Sequence, residues 1–203
     1  MIAIIDYGVG NLRSVEKALQ YIGLNASITA DAAEVRCADA VVLPGVGAYS
    51  DAMNSLAKAG MVEVVGETVR QNKPFLGICL GMQLLFDYSE EGGEPVDGLG
   101  LFGGAIKGLP QDRGLKVPHM GWNSLKTGDS PLFKGLPEKP YVYFVHSFYL
   151  DAKDKSIVAA TSEYGATIDA AIGSGNVFAT QFHPEKSGET GLTILKNWAA
   201  RIG

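Results

Sequence analysis

Short unbroken apolar runs alternate along this chain with longer stretches in which apolar residues recur every three or four positions. Ile2 to Ile5 is the first such run, and Leu12, Val15, Leu19 and Ile22 follow it at helical spacing, with Gly23 just beyond. An unbroken run reads as a parallel strand covered on both faces, and the recurrence as a helix with one buried face that stops at a C′ glycine. Ser27–Thr29 and Asp39–Leu43 read as the next strands, and Ala48–Ala59 as a helix. Phe75–Ile78 reads as a short buried strand and Met82–Tyr88 as the start of another helix. Tyr141–Val145 and Val177–Phe182 are later strands, and Leu192, Leu195, Ala199 and Ile202 form the stripe of a closing helix. From Glu90 to Gly114 the runs become shorter and glycine-rich, as in Leu99 to Phe102, which predicts an excursion of strands and loops.

Strands alternating with helices imply right-handed crossovers. The expected fold is α/β, a doubly wound, mostly parallel sheet of flavodoxin-like type with an added antiparallel excursion. No repeat or low-complexity linker divides residues 1–203, so a single domain is expected. Gly8-Val9-Gly10 follows the first strand, but Arg13 stands where a dinucleotide fingerprint needs its third glycine. A tight turn is the better reading of that segment.

Composition narrows the class. Hydrophobic residues make up 46% of 203 positions, enough to fill the core of one large α/β domain. A net charge of −5 without charge blocks speaks against nucleic acid as a partner, and no zinc spacing occurs, so no metal site is expected. Two cysteines, Cys37 and Cys79, are too few for a disulfide framework. No apolar stretch approaches the ~20 residues that span a bilayer, and the N-terminus lacks a basic leader. A cytoplasmic protein with no membrane partner is expected.

The chemistry centres on Cys79. It falls between the Phe75 strand and the helix that follows, with Gly77 and Gly81 two residues to either side. A tight strand-to-helix crossing tolerates no Cβ there, which is the geometry of a nucleophile elbow with sulfur in place of oxygen. A helix N-terminus beside the thiol favours thiolate. Alone, the motif fits a small buried hydrophobe better than a nucleophile. Pro44-Gly45-Val46-Gly47 ends the third strand, and ligands of open α/β sheets sit beyond such carboxyl ends. Two glycines around Val46 would let its N–H turn toward an oxyanion, though a plain helix-entry turn explains the loop equally well.

Of three histidines, His119 and His146 have no acid close in sequence, whereas His183-Pro184-Glu185 places a carboxylate two residues from the ring. Pro184 makes His183 extended, and residues two apart then share a side, so Glu185 can hold one ring nitrogen. A Cys/His pair needs such a third member. Val117 to Asn123 concentrates His119, Met120 and Trp122 without strand or helix period, a segment that is either a core plug or a recognition patch.

Taken together, Gly77 to Gln83, Pro44 to Gly47 and His183 to Glu185 closely resemble the class I (triad) glutamine amidotransferases, over essentially the whole chain. Ile5 to Ser14, Pro118 to Asn123 and His183 to Gly188 resemble, within that family, the glutaminase subunits of imidazole glycerol phosphate synthase. Leu99 to Gly104 departs mildly, because a proline often follows the Gly-Leu pair there. The resemblance implies that Cys79 attacks the side-chain amide of L-glutamine, His183 relays the proton to ammonia, and Glu185 orients His183. It implies that the N–H groups of Leu80 and Val46 hold the oxyanion, and that Gly47, Gln83, Ser147 and Phe148 hold glutamine. It further implies that Asn11, Met120, Trp122, Asn123, Tyr143 and Lys186 face a separate cyclase subunit. That partner is a (β/α)8 barrel forming a heterodimer, to which ammonia passes, and no cofactor is required. Three alternatives remain: the glutaminase of another pathway such as pyridoxal phosphate synthase, a thiol hydrolase acting on esters, and a non-catalytic flavodoxin-like module.

Overall fold

A computed structural model describes residues 1–112 and 114–203. The chain runs through β1 (Ile2–Ile5), α1 (Leu12–Tyr21), β2 (Ala26–Thr29), α2 (Ala32–Cys37), β3 (Ala40–Gly45), α3 (Tyr49–Lys58), α4 (Met61–Arg70), β4 (Phe75–Cys79) and the single-turn α5 (Leu80–Gln83). It continues through β5 (Phe86–Ser89), β6 (Val96–Asp97), β7 (Phe102–Gly108), β8 (His119–Ser124), β9 (Lys126–Thr127), β10 (Tyr141–His146) and β11 (Phe148–Ala152). The last elements are β12 (Val158–Glu163), β13 (Thr167–Ser174), β14 (Val177–Thr180) and α6 (Gly188–Ala199).

Among the described residues the central sheet has the order β2-β1-β3-β4-β14-β13-β12-β9. Its first five strands are parallel and its far edge is antiparallel. The parallel part follows the 2-1-3-4-5 order of doubly wound folds, in agreement with the sequence pattern. The unbroken runs have the cause assigned to them. Ile2, Ile4, Val42, Leu76 and Ile78 point to one face, against Val15 and Leu19 of α1 and Ile194, Leu195 and Trp198 of α6. Ala3, Ile5, Val41, Leu43 and Phe75 point to the other, against Tyr49, Leu56, Met61 and Val65 of α3 and α4. Alternate side chains of one strand thus enter two separate cores, so neither face can be polar.

Two expectations are corrected. The helix after Cys79 spans Leu80–Gln83, not Met82–Tyr88, and Phe86–Ser89 is a strand of a second sheet ordered β11-β7-β5-β6. The carbonyls of Leu84, Leu85, Phe86 and Asp87 accept from N–H groups of residues 98–102, so they cannot continue a helix. In α6 the buried stripe is Gly191, Ile194, Leu195 and Trp198; Leu192 and Ala199 are only partly buried, and Ile202 lies beyond the end of the helix. Among the described residues no helix is long and apolar enough to cross a membrane.

Candidate active site

Cys79 sits where β4 gives way to α5, at φ 55° and ψ −111°, a conformation that L-residues rarely adopt. Close crossing enforces it. A Cβ on Gly81 would overlap the Leu43 carbonyl oxygen, and one on Gly77 would lie 2.9 Å from the Gly81 oxygen. Only glycine allows α5 to pass so near β3 and β4, and that passage swings the thiol off the strand. β3 and β4 pair Gly45 with Cys79 at their carboxyl ends, which brings the Val46 loop alongside the sulfur. Gly45 is a contact residue rather than a hinge, because a Cβ there would stand 2.7 Å from the Tyr7 hydroxyl and 2.9 Å from the Gly81 nitrogen. Gly47, at φ +93° in open space, carries the conformational freedom of this loop.

β14 lies parallel to β4, so the segment after it arrives beside Cys79. His183 is buried and extended, and its Nδ1 lies 2.8 Å from Glu185 Oε1. The route to that contact differs from the one expected. Pro184–Lys186 is a 3-10 turn, and the turn rather than an extended strand brings the carboxylate back onto the ring. Burial pulls the His183 pKa down, but the Cys79 sulfur and the Glu185 carboxylate together raise it to about 9. The ring therefore carries its proton at neutral pH. Among the described residues, neither His183 Nε2 nor Glu185 Oε2 has a hydrogen-bond partner of good geometry. Nε2 is the nitrogen left to serve the sulfur and whatever the sulfur attacks.

A cleft of about 440 Å³ opens over this group, within the range of small-molecule sites. Its wall includes Val46, Gly47, Cys79, Leu80, Gln83, Ser147, Phe148 and His183, so the predicted oxyanion and substrate residues meet Cys79 and His183 there, while Glu185 stands off the wall and reaches it through His183. Gln83 Nε2 donates to the Phe148 carbonyl at 2.9 Å and to Gln181 Oε1 at 2.9 Å, which leaves its own Oε1 to accept from a ligand. Glu91 also lines the cleft, and its carboxylate accepts from the Tyr49 N–H at 2.7 Å at the start of α3. Sequence reasoning missed Glu91, because its contact spans 42 positions and its neighbours form no motif. Among the described residues no group of three His, Cys, Asp or Glu side chains could hold a metal ion.

Of the residues assigned to a partner, Lys186 lines the cleft. β8 pairs with β10 so that Trp122 opposes Tyr143, and Lys186 Nζ lies 6.0 Å from the Tyr143 ring centre. Met120 and Trp122 are 62% and 57% exposed, an apolar display that a core plug would not make. Asn11 precedes α1, next to Gly10, which packs on Pro44. Asn123 differs from the rest, since its amide turns inward to His119, the Glu163 carbonyl and the Ser124 N–H. His119 and His146 form a buried pair, each ring pushed down to about 4 by burial.

Residues 3–202 match the family model for glutamine amidotransferase class-I. The chain is 56% identical over 203 residues to the imidazole glycerol phosphate synthase subunit HisH of Caldanaerobacter subterraneus subsp. tengcongensis, covering 100% of this chain and 98% of that one. The HisH subunit of Oceanobacillus iheyensis is 46% identical, with 100% of both chains covered. Among solved structures, a glutamine amidotransferase superposes with a TM-score of 0.76 at 18% identity over 100% of both chains. PurLQS from Thermotoga maritima gives 0.74 at 22% identity, covering 100% of this chain and 98% of that one, so both share the fold. The chain belongs to the class-I glutamine amidotransferases, in the branch formed by the HisH subunits of imidazole glycerol phosphate synthase.

Proposed function

We propose that residues 1–203 act as one cytoplasmic glutamine amidotransferase domain, the glutaminase subunit of imidazole glycerol phosphate synthase in histidine biosynthesis. The observation that carries this reading is that Cys79 and His183 line one small cleft, with Glu185 hydrogen-bonded to the His183 ring.

Cys79 Sγ attacks the side-chain amide carbon of L-glutamine, and the carbonyl π electrons move onto oxygen. The Leu80 N–H, first of a helix and so without an intrahelical acceptor, receives that oxyanion together with the Val46 N–H. His183 holds the proton that leaves the thiol and gives it to the departing nitrogen, so ammonia leaves and a glutamyl thioester remains. Water then attacks the thioester carbon, His183 takes the water proton, and glutamate departs as the C–S bond breaks. Glu185 fixes Nδ1 and so aims Nε2 at the sulfur throughout. Gln83 Oε1 and the Glu91 carboxylate offer acceptors to the α-ammonium of glutamine, and Gly47, Ser147 and Phe148 frame the chain of the substrate.

Ammonia is passed to a cyclase subunit, a (β/α)8 barrel seated as a heterodimer partner over Asn11, Met120, Trp122, Asn123, Tyr143 and Lys186. The exposed Met120 and Trp122 support this face, and the names of the relatives supply the enzyme. The test is glutamate release by the full chain, alone and mixed with a histidine-pathway cyclase subunit and its nucleotide ligand. Turnover should be low alone, rise strongly in the mixture, and vanish in Cys79→Ala. Stimulation by the synthase subunit of pyridoxal phosphate formation instead would move the chain to that pathway.

A further inference from the structure

One carbonyl group fixes the polarity of a hydrogen-bond chain that runs behind the cleft. The Phe148 oxygen can only accept, and it is reached by His146 Nδ1 at 2.9 Å and Gln83 Nε2 at 2.9 Å. On one side, Gln83 must therefore present its NH2 group, which also meets Gln181 at 2.9 Å, so the Gln181 atom there is the oxygen. The Gln181 NH2 group is then the one that faces Cys79 Sγ, at 3.7 Å. On the other side, His146 must carry its proton on Nδ1, so its Nε2 accepts from His119 Nδ1 at 3.0 Å. His119 Nε2 is left as an acceptor, and the group 3.3 Å away is the NH2 of Asn123. That assignment is fixed independently, because Asn123 Nδ2 also donates to the Glu163 carbonyl and its Oδ1 accepts from the Ser124 N–H. Reasoning from either end gives the same answer, with both imidazoles neutral and both protonated on Nδ1.

We propose that Gln83 is a positioning residue that keeps the Gln181 N–H aimed at Cys79 Sγ, and that His146, held in turn by His119, positions the Phe148 carbonyl that orients Gln83, making Gln181 a built-in donor to the nucleophilic sulfur. A proton added to His146 Nε2 would set two N–H groups face to face between the rings, and one added to His119 Nε2 would face the Asn123 NH2 group. The buried His119 ring, stacked between Phe144 at 4.6 Å and Tyr164 at 3.9 Å, has no room to turn away from such a clash. The chain therefore offers Cys79 a donor besides His183, and it holds the Phe148 wall of the cleft in place. This inference rests on the reading of Cys79 as the nucleophile.

The test combines a spectroscopic and a chemical readout on the full chain. Long-range 1H–15N spectra of the wild type at pH 7 should show His119 and His146 both neutral and protonated on Nδ1. Alkylation of Cys79 by iodoacetamide, with exposed Cys37 as internal reference, should slow about fivefold in Gln181→Glu, the worth of one hydrogen bond. His119→Phe keeps the ring stack but removes both nitrogens and should slow Cys79 similarly. His119→Asn retains a donor at the Nδ1 position and should restore at least half of the rate. An Nε2-protonated or charged His146 in the wild type would overturn the proposal, as would Gln181→Glu leaving the rate unchanged. Wild-type Cys79 reacting no faster than Cys37 would instead overturn the reading of Cys79 as nucleophile.

Discussion

Cys79 occupies a backbone conformation that only glycine adopts without strain, and replacing it separates stability from chemistry. Its φ of 55° and ψ of −111° place it outside the regions open to L-residues, at a cost of about 1–3 kcal/mol. Cys79→Ala removes the sulfur and keeps that strain. Cys79→Gly removes the strain as well, but forfeits a buried methyl worth about 0.8 kcal/mol and adds about 0.7 kcal/mol of backbone entropy to the unfolded chain. At an unstrained buried position the glycine variant would thus be less stable than the alanine variant by about 1.5 kcal/mol. Relief of about 2 kcal/mol reverses the sign here, leaving Cys79→Gly about 0.5 kcal/mol the more stable. Urea unfolding of the two variants, both inactive, reads this difference directly, and thermal melts should place the glycine variant about 1–2 °C higher. A glycine variant melting 3–6 °C below the alanine variant would refute the argument that the elbow stores strain at its nucleophile.

Three further outcomes follow from the site and its surroundings. Glu185→Gln should lower kcat about a hundredfold or more, and should move the alkaline limb of the rate profile below pH 9, because one of the two groups that raise the His183 pKa is gone. His119 and His146, a hydrogen-bonded pair held near 4 against about 6.5 unfolded, stabilise the fold above pH 6.5 and lose that contribution as pH falls through 4. His183, raised to about 9, contributes below pH 6.5 and loses its contribution as pH rises through 9, so urea midpoints at pH 5, 7 and 9 should peak near neutral. Trp122→Ala should weaken binding of the cyclase subunit about 30-fold, measured by calorimetry, with the melting temperature of the free chain unchanged because the ring is largely exposed.

The parts of this molecule that could be read from sequence are those whose cause is local. β1, β3 and β4 announce themselves because both of their faces are buried and no polar residue interrupts them. His183 and Glu185 are legible because two residues of spacing bring ring and carboxylate together, although a 3-10 turn rather than a strand delivers the contact. Phe86–Ser89 was misread because an apolar run does not say which carbonyls are already claimed, and here residues 98–102 claim them. Of the two unassigned helices, Met61–Arg70 starts after Gly60 with no capping side chain, whereas Ala32–Cys37 carries a start signal in Asp31, whose carboxylate accepts from the Ala33 and Glu34 N–H groups, but is too short to show a helical period. Glu91, Gln181 and the His119–His146 pair were invisible because their partners lie 42, 102 and 27 positions away. Asn123 was legible as part of a motif but not in its orientation, since three contacts set its amide.

The most direct test of the central claim is covalent labelling of the cleft by a glutamine analogue that carries a chloroketone in place of the side-chain amide. Peptide mapping should find the label on Cys79 alone, excess glutamine should protect it, and His183→Ala should slow its attachment. Label on Cys37 to a similar extent, or attachment to Cys79 that glutamine does not slow, would contradict the assignment of this cleft as a glutaminase site.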